Sequence, residues 1–275
     1  MTLEPHPLNR DFTWSVHSGP FRRISPAQAE AYDRDGFFVL ADAISGPDLE
    51  RLLSEIDPRE AKVESFLRGA EGGRIFIARA GEITFSTHLV KRSAALREFC
   101  TGPLFRDIGH DLIGPDVRLY WDQAVYKKPG NPEDFPWHQD NGYAFVRPQQ
   151  YVTCWIALTD ATLENGCPWV VPGVHRRGTL RHWMTDLGWR CLDEAPDAVP
   201  LPLRAGSIAV FSSLTPHRTG PNSTAEVRKA YIVQLAPDGA RLVGERGDEP
   251  CTAPDRQFRI LREGRAPSPA DAEAR

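Results

Sequence analysis

Residues 117–130 read VRLYWDQAVYKKPG, and here the periodicity of the chain changes. From Val117 on, apolar residues alternate with polar ones or run in short apolar blocks closed by Pro, Gly or Asn. Alternation at period two marks a strand, and side chains at i and i+2 share a face. QYVTCWIALTDA, CPWVVPG, SIAVFSSL and KAYIVQLAP continue the pattern, punctuated by turn residues such as Glu164-Asn165-Gly166 and Pro172-Gly173. Working back from residue 117, SAALREFC and PLFRDIGHDLIG predict two helices parted by Gly102-Pro103. RIFIA (74–78) predicts a strand. Leu49, Leu52, Leu53 and Ile56 behind Pro47 predict a helix, and FFVLADAI after Gly36 a short strand. Ser25-Pro26, with Gln28 three residues after the serine, opens a helix through a capping box. Helices first and strands second predict an α+β chain with a mainly β core, the strands in a sandwich or jelly roll and the helices packed outside.

Around this core, residues 1–24 show no period and are expected to form an irregular N-terminal arm. Residues 25–240 are expected to be one domain. Within them, 176–203 is a long Trp-containing insertion of the kind that serves as a lid or binding loop. Residues 241–275 are a C-terminal extension. Its end, REGRAPSPADAEAR, has the charged, proline-rich composition of a disordered tail.

The chain of 275 residues is 41% apolar and 25% charged, with net charge −4. That composition is ordinary for a globular protein and gives no basis for a nucleic-acid partner. No apolar run is long enough for a membrane span, and MTLEPHPLNRDFTW lacks the pattern of a signal peptide. Cys100, Cys154, Cys167, Cys191 and Cys251 are odd in number and form no CxxC pair, so free thiols in a reducing, cytoplasmic setting are expected. The expected assembly is a monomer or homodimer.

The chemistry concentrates in FPWHQDNGYAF, residues 135–145. If this is a strand, His138 and Asp140 face one side and can grip one ion. HxD alone is a common tripeptide, so a third ligand has to be found. His217 is the best placed of the other histidines, in the turn TPHRTGPN directly after the strand SIAVFSSL. Two histidines and one carboxylate make the facial triad that holds non-haem Fe(II) and leaves open positions. A bidentate co-substrate such as 2-oxoglutarate could fill two of them, and its far carboxylate would need a planar cation. Arg228, opening the strand RKAYIVQLAP, is positioned for that.

WHQD, WIALTDATLENGCPWVVPGVH and HRTGPNSTAEVRKAYIVQ closely resemble the phytanoyl-CoA dioxygenase family of Fe(II)/2-oxoglutarate oxygenases, over roughly residues 25–240. The resemblance implies a double-stranded β-helix, that is, a cupin-like jelly roll with flanking helices. It implies His138, Asp140 and His217 as metal ligands, Arg228 as the clamp on 2-oxoglutarate, and Thr219 as its hydroxyl partner. Trp155 would line the co-substrate pocket and Gln123 would contact the co-substrate. Fe(II), 2-oxoglutarate and O2 would be the cofactors, with succinate and CO2 released as a C–H bond of a small molecule is hydroxylated. Desaturation, epimerisation or ring closure in secondary metabolism would use the same centre. Trp137, Asn141, Tyr143 and Phe145 are expected on the substrate side. The carboxylate of Asp140 argues against the related halogenases, which lack it.

Blander readings stand beside these. His175, in PGVH, is expected to tie down its turn by hydrogen bonds, and His88, His110 and His182 to be surface or loop residues. Lys127-Lys128 reads as a solvated strand end, and Trp155 as plain core. Two other functions compete. One is a zinc hydrolase on the same three ligands, for which Glu133 is the only nearby candidate base. The other is a jelly-roll binding module without turnover.

Overall fold

A computed structural model describes residues 3–244 and 247–268. Residues 269–275 of the tail expected to be disordered lie outside the described residues. Residues before them fold back on the domain: the Gly264 N–H donates to the Pro115 carbonyl at 2.8 Å and the Glu263 N–H to Asp116 at 2.9 Å.

Helix α1 (Pro26–Asp35) starts as the capping box requires, with Ser25 and Gln28 each satisfying the other's backbone N–H. It stops at Gly36, whose φ of 89° is left-handed. A Cβ there would stand 2.5 Å from both His175 Nδ1 and Thr215 Oγ1, so glycine is needed twice over. Ser45 caps α2 (Gly46–Gly69), which buries Leu52, Ile56 and Leu67. Helices α3 (Ala94–Cys100) and α4 (Pro103–Leu112) follow on either side of Gly102, as the sequence predicts.

The main sheet has nine antiparallel strands among the described residues. In spatial order they are Phe37–Leu40, Ile208–Ser212, Val152–Ala157, Arg228–Pro237, Val117–Lys127, Ile83–Thr87, Ala78–Arg79 and Arg74–Ile75, with Arg259–Leu261 pairing the start of Val117–Lys127. A smaller sheet stacks Val199–Pro200, Pro168–Val170, His217–Thr219 and Phe135–His138. The central strands of the main sheet are buried on both faces, which is why they read as near-continuous apolar runs. Tyr126, Cys154, Ile156, Val210, Tyr231 and Val233 face the helices. Val125, Trp155, Ala157, Phe211, Ala230 and Ile232 face inward with residues of the small sheet. Two sheets closed over an inner core, with helices outside, make the double-stranded β-helix.

Three expectations need correction. RIFIA is not one strand: Phe76, at φ 52°, reverses the chain, and Arg74–Ile75 pairs back onto Ala78–Arg79 as a hairpin. The run lies between glycines at the sheet edge, where no further strand holds it straight. Lys127 is no solvated strand end but 1% exposed. It shares the inward face with Val125, and its Nζ donates to the carbonyls of Glu133 and Gly220. Burial, reinforced by nearby Arg228, pushes its pKa down to about 7. Lys128 pairs with Glu60 at 2.5 Å. Helices and strands are also not cleanly segregated along the chain, because Phe37–Leu40 and Ile83–Thr87 both join the main sheet.

All five cysteines are free and buried. Among the described residues no helix is long and apolar enough to cross a membrane.

His175 is fully buried, with Nε2 on the Asp33 carbonyl at 3.3 Å and its ring edge-on to Trp14. It ties its own turn to the end of α1. Burial pushes its pKa down to about 4, below the ordinary histidine value. The unfolded chain therefore binds this proton between pH 6.5 and 4 while the folded chain does not, so the contribution is present at neutral pH and is lost as pH falls. Chemical denaturation at pH 7 and pH 5 should show a loss of stability on acidification. In His175→Gln that loss should be smaller by about 2 kcal/mol; an unchanged pH slope would contradict the assignment.

Candidate metal centre

The small sheet positions the site. Strand Phe135–His138 pairs with His217–Thr219 so that His138 and His217 are direct cross-strand partners, with ring centroids 4.1 Å apart. His217 opens a strand and does not sit in a turn as the sequence suggested. Asp140 arrives differently again. The strand ends at His138, Gln139 is extended, and Asp140 begins the one-turn helix α5 (Asp140–Tyr143). A turn at the strand end, not an i, i+2 register along it, swings the carboxylate back toward the imidazoles. One ligand atom each from His138, Asp140 and His217 then lies within 4.8 Å of the others.

Both imidazoles are oriented by their own backbone. Nδ1 of His138 bonds the Pro136 carbonyl at 2.8 Å, and Nδ1 of His217 the Thr215 carbonyl at 3.0 Å. A carbonyl only accepts, so each Nδ1 carries the proton and each Nε2 presents a lone pair. Burial, with the neighbouring His217 ring, holds the His138 pKa well below the ordinary range, which keeps the ring neutral. Asp140 is fixed by the Thr153 hydroxyl, which donates to Oδ2 at 2.5 Å, while Gln234 donates to Thr153 at 3.3 Å.

Arg228 begins its strand with its side chain 1% exposed. None of its three guanidinium nitrogens has a hydrogen-bond partner among the described residues. Its Cζ stands 5.3 Å from the ring centre of Trp155. Burial pushes its pKa down to about 10, still a cation at neutral pH. A buried, unpaired charge is expensive, and an anion beside it would offset that cost. Thr219 is two residues beyond His217 on the same strand. Gln123 is half-buried and in register between Thr87 and Ile232, two residues before inward-facing Val125.

The four residues expected beside the substrate separate. Tyr143 stands edge-on to His138, ring centres 5.2 Å apart. Trp137 lies instead in a separate cluster with Val171, Val174, Leu180 and Leu192. Asn141 is fully buried and bonded to Thr179 Oγ1 at 2.7 Å and to the Val146 N–H at 2.9 Å. Phe145 stacks on His6 at 4.8 Å. Helix α5 turns the chain after Gln139 and scatters their directions. Sequence reasoning also missed Thr153, Gln139 and His182. Thr153 left a signal: it is a polar residue two before Trp155 in an otherwise apolar strand. His182 left none. It lies in a loop, half-buried, and accepts the Gln139 N–H at 2.9 Å.

Comparison with known proteins agrees with this geometry. The profile of the family phytanoyl-CoA dioxygenase (PhyH) matches residues 32–230, and the chain belongs to that family. It is therefore an oxidoreductase of the dioxygenase class. A methylphosphonate hydroxylase of Gimesia maris is 28% identical over 214 residues, covering 76% of this chain and 80% of that one. The structure of EvdO2 from Micromonospora carbonacea var. aurantiaca, complexed with 2-oxoglutarate, is 26% identical with a TM-score of 0.64 and covers 84% of this chain and 97% of that one. The epimerase SnoN, in complex with Fe3+, alpha ketoglutarate and a nogalamycin, shares the fold at 23% identity and a TM-score of 0.66, over 85% of this chain and 97% of that one.

Thr153→Val keeps the shape of the side chain but removes the donor that holds Asp140. Titration of the metal-stripped protein with Co(II) should show affinity lower by about tenfold, the usual cost of losing a partner that orients a ligand. Unchanged affinity would show that the Thr153 bond does not prepare the carboxylate.

Proposed function

We propose that the protein is an Fe(II)- and 2-oxoglutarate-dependent dioxygenase that hydroxylates an unactivated C–H bond of a small molecule, with release of succinate and CO2. The observation that carries this reading is the buried guanidinium of Arg228, without a hydrogen-bond partner among the described residues, in a fold whose inner face also brings together His138, Asp140 and His217. The donor set fits the metal: two neutral imidazoles and one carboxylate suit Fe(II) with positions left open for ligands. When bound, iron together with 2-oxoglutarate and O2 would supply the oxidising power for C–H cleavage.

The chain's own residues do the rest. His138, Asp140 and His217 hold the ion. Arg228 takes the far carboxylate of 2-oxoglutarate in its planar fork, with Thr219 as hydroxyl partner. Trp155 covers the guanidinium, and Gln123 stands along the inner face toward the co-substrate. Tyr143 stands beside His138, where a substrate would approach. Phe85, Phe135 and His138 form a line of rings, at 5.7 and 5.0 Å between neighbours, leading inward from a cleft of about 570 Å³ that Phe66 and Phe85 help to line. We take this cleft as the approach of the substrate. Hairpin strands Trp183–Thr185 and Gly188–Arg190, inside the 176–203 insertion, would act as a cover beside Tyr143. A Cβ at Gly188 would stand 2.8 Å from the Tyr143 hydroxyl and 3.1 Å from Ile77, and Arg79 donates to the Asp186 carbonyl at 3.3 Å. We assign residues 25–240 as the catalytic domain of a cytoplasmic protein, working as a monomer or homodimer. The same centre would serve desaturation, epimerisation or ring closure.

The zinc-hydrolase alternative loses its base. Glu133 is 43% exposed at its side chain and is bonded to Arg79 at 2.7 Å. That reading also leaves Arg228 without an anion. The intact ligand set and Arg228 argue likewise against a module that has lost turnover.

Two variants test the proposal. Asp140→Ala should abolish succinate formation by the iron-loaded protein exposed to O2, and retained turnover would sink the ligand assignment. Arg228→Leu should raise the KM for 2-oxoglutarate about 30-fold or more, the cost of removing one side of a buried charge pair. An unchanged KM would place the co-substrate elsewhere.

A further inference from the structure

His182 stands outside the ligand set, immediately before the hairpin that starts at Trp183. Its Nδ1 lies 2.9 Å from the Leu180 carbonyl, so that nitrogen carries the proton. Its Nε2 is then an acceptor, and it takes the backbone N–H of Gln139 at 2.9 Å. Gln139 is the residue between His138 and Asp140. The contact is reciprocal. The Gln139 side chain is fully buried, accepts the Leu180 N–H at 2.6 Å, and donates to the carbonyls of Gly178 at 3.1 Å and Leu214 at 2.5 Å. On the other side of Asp140, Gly142 lets the ring lie against α5, for a Cβ there would fall 1.9 Å from His182 Cε1. The imidazole thus touches the chain both before and after Asp140.

We propose that His182 is a positioning residue that locks segment 178–182 to the His138–Asp140 turn, so that metal binding and the order of the hairpin starting at Trp183 are coupled. The inference rests on the reading of His138, Asp140 and His217 as metal ligands. Its physical content is simple. Asp140 does not lie on a strand, so no ladder fixes it relative to His138. The bonds of His182 and Gln139 stand in for that ladder. Without the imidazole, the Gln139 N–H loses its partner and the turn gains freedom that metal binding must then remove. By reciprocity, an ion that fixes the turn must also steady the segment bonded to it.

The test titrates the metal-stripped wild type, His182→Ala and His182→Gln with Co(II) by calorimetry, alongside urea unfolding of each metal-free protein. Hydrogen exchange of residues 183–190 is followed with and without Co(II). His182→Ala should bind Co(II) about 10- to 100-fold more weakly, as when an outer partner of a metal site is removed. His182→Gln, whose Oε1 can accept the Gln139 N–H, should recover most of that loss. Exchange in 183–190 should slow on metal binding in the wild type and not in His182→Ala. Wild-type affinity in the alanine variant would overturn the proposal. So would a glutamine variant as weak as alanine, an affinity loss matched by lost metal-free stability, or hairpin exchange indifferent to the metal. Failure of the wild type to bind Co(II) at all would instead overturn the metal-centre reading itself.

Discussion

The centre depends on one register. His138 and His217 are opposite residues on neighbouring strands of the small sheet, and their Nε2 atoms converge because each Nδ1 is held by a carbonyl two residues earlier in its own chain. A one-residue slip in a strand turns every side chain to the other face. The rest of the architecture protects this pairing. The main sheet closes one side of the inner core, and Pro168–Val170 extends the ladder on the far side of His217. The short helix at Asp140 ends the strand and brings its carboxylate beside the two imidazoles.

The inner core carries two kinds of surface. Ala157, Ala209, Ala230 and Ile232 fill it with small and branched apolar side chains. Against them stand a guanidinium with no hydrogen-bond partner among the described residues and a lysine whose ammonium donates to backbone carbonyls. Burial lowers the pKa of both Lys127 and Arg228, and the nearby guanidinium adds to the shift of Lys127. An anion bound beside Arg228 would offset the cost of its buried charge, which is the electrostatic basis of the proposed carboxylate clamp. This links the co-substrate site to the fold. Arg228 and Lys127 are register partners on adjacent strands of the main sheet and occupy the same inward level.

Much of this could be read from the sequence, for identifiable reasons. Ser25, Gln28 and Gly36 act locally, so the limits of α1 follow from their chemistry. Buried strands such as Val152–Ala157 announce themselves as apolar runs. His138, Asp140, His217 and Arg228 stand out because chemistry demands those residue types in that order. What the sequence could not show depended on tertiary contacts. RIFIA has the alternation of a strand, yet glycines on both sides let it fold into a hairpin. Nothing local to Trp137, Asn141 and Phe145 shows that tertiary contacts draw their side chains to Val171, Thr179 and His6. Lys127 resembled a solvated end because nothing local reveals that Gly220 and Glu133 come to meet its ammonium. His182 acts on a residue 43 positions away and has no local signature.

The central claim is that metal and Arg228 together make one co-substrate site. It is tested most directly by calorimetric titration of 2-oxoglutarate, without O2, into the Fe(II)-loaded protein and into the metal-free protein. One equivalent should bind tightly with Fe(II) and more weakly by orders of magnitude without it, since the keto-acid end and the far carboxylate would be held by different groups. Equal affinity with and without the metal, or no binding in either state, would contradict it.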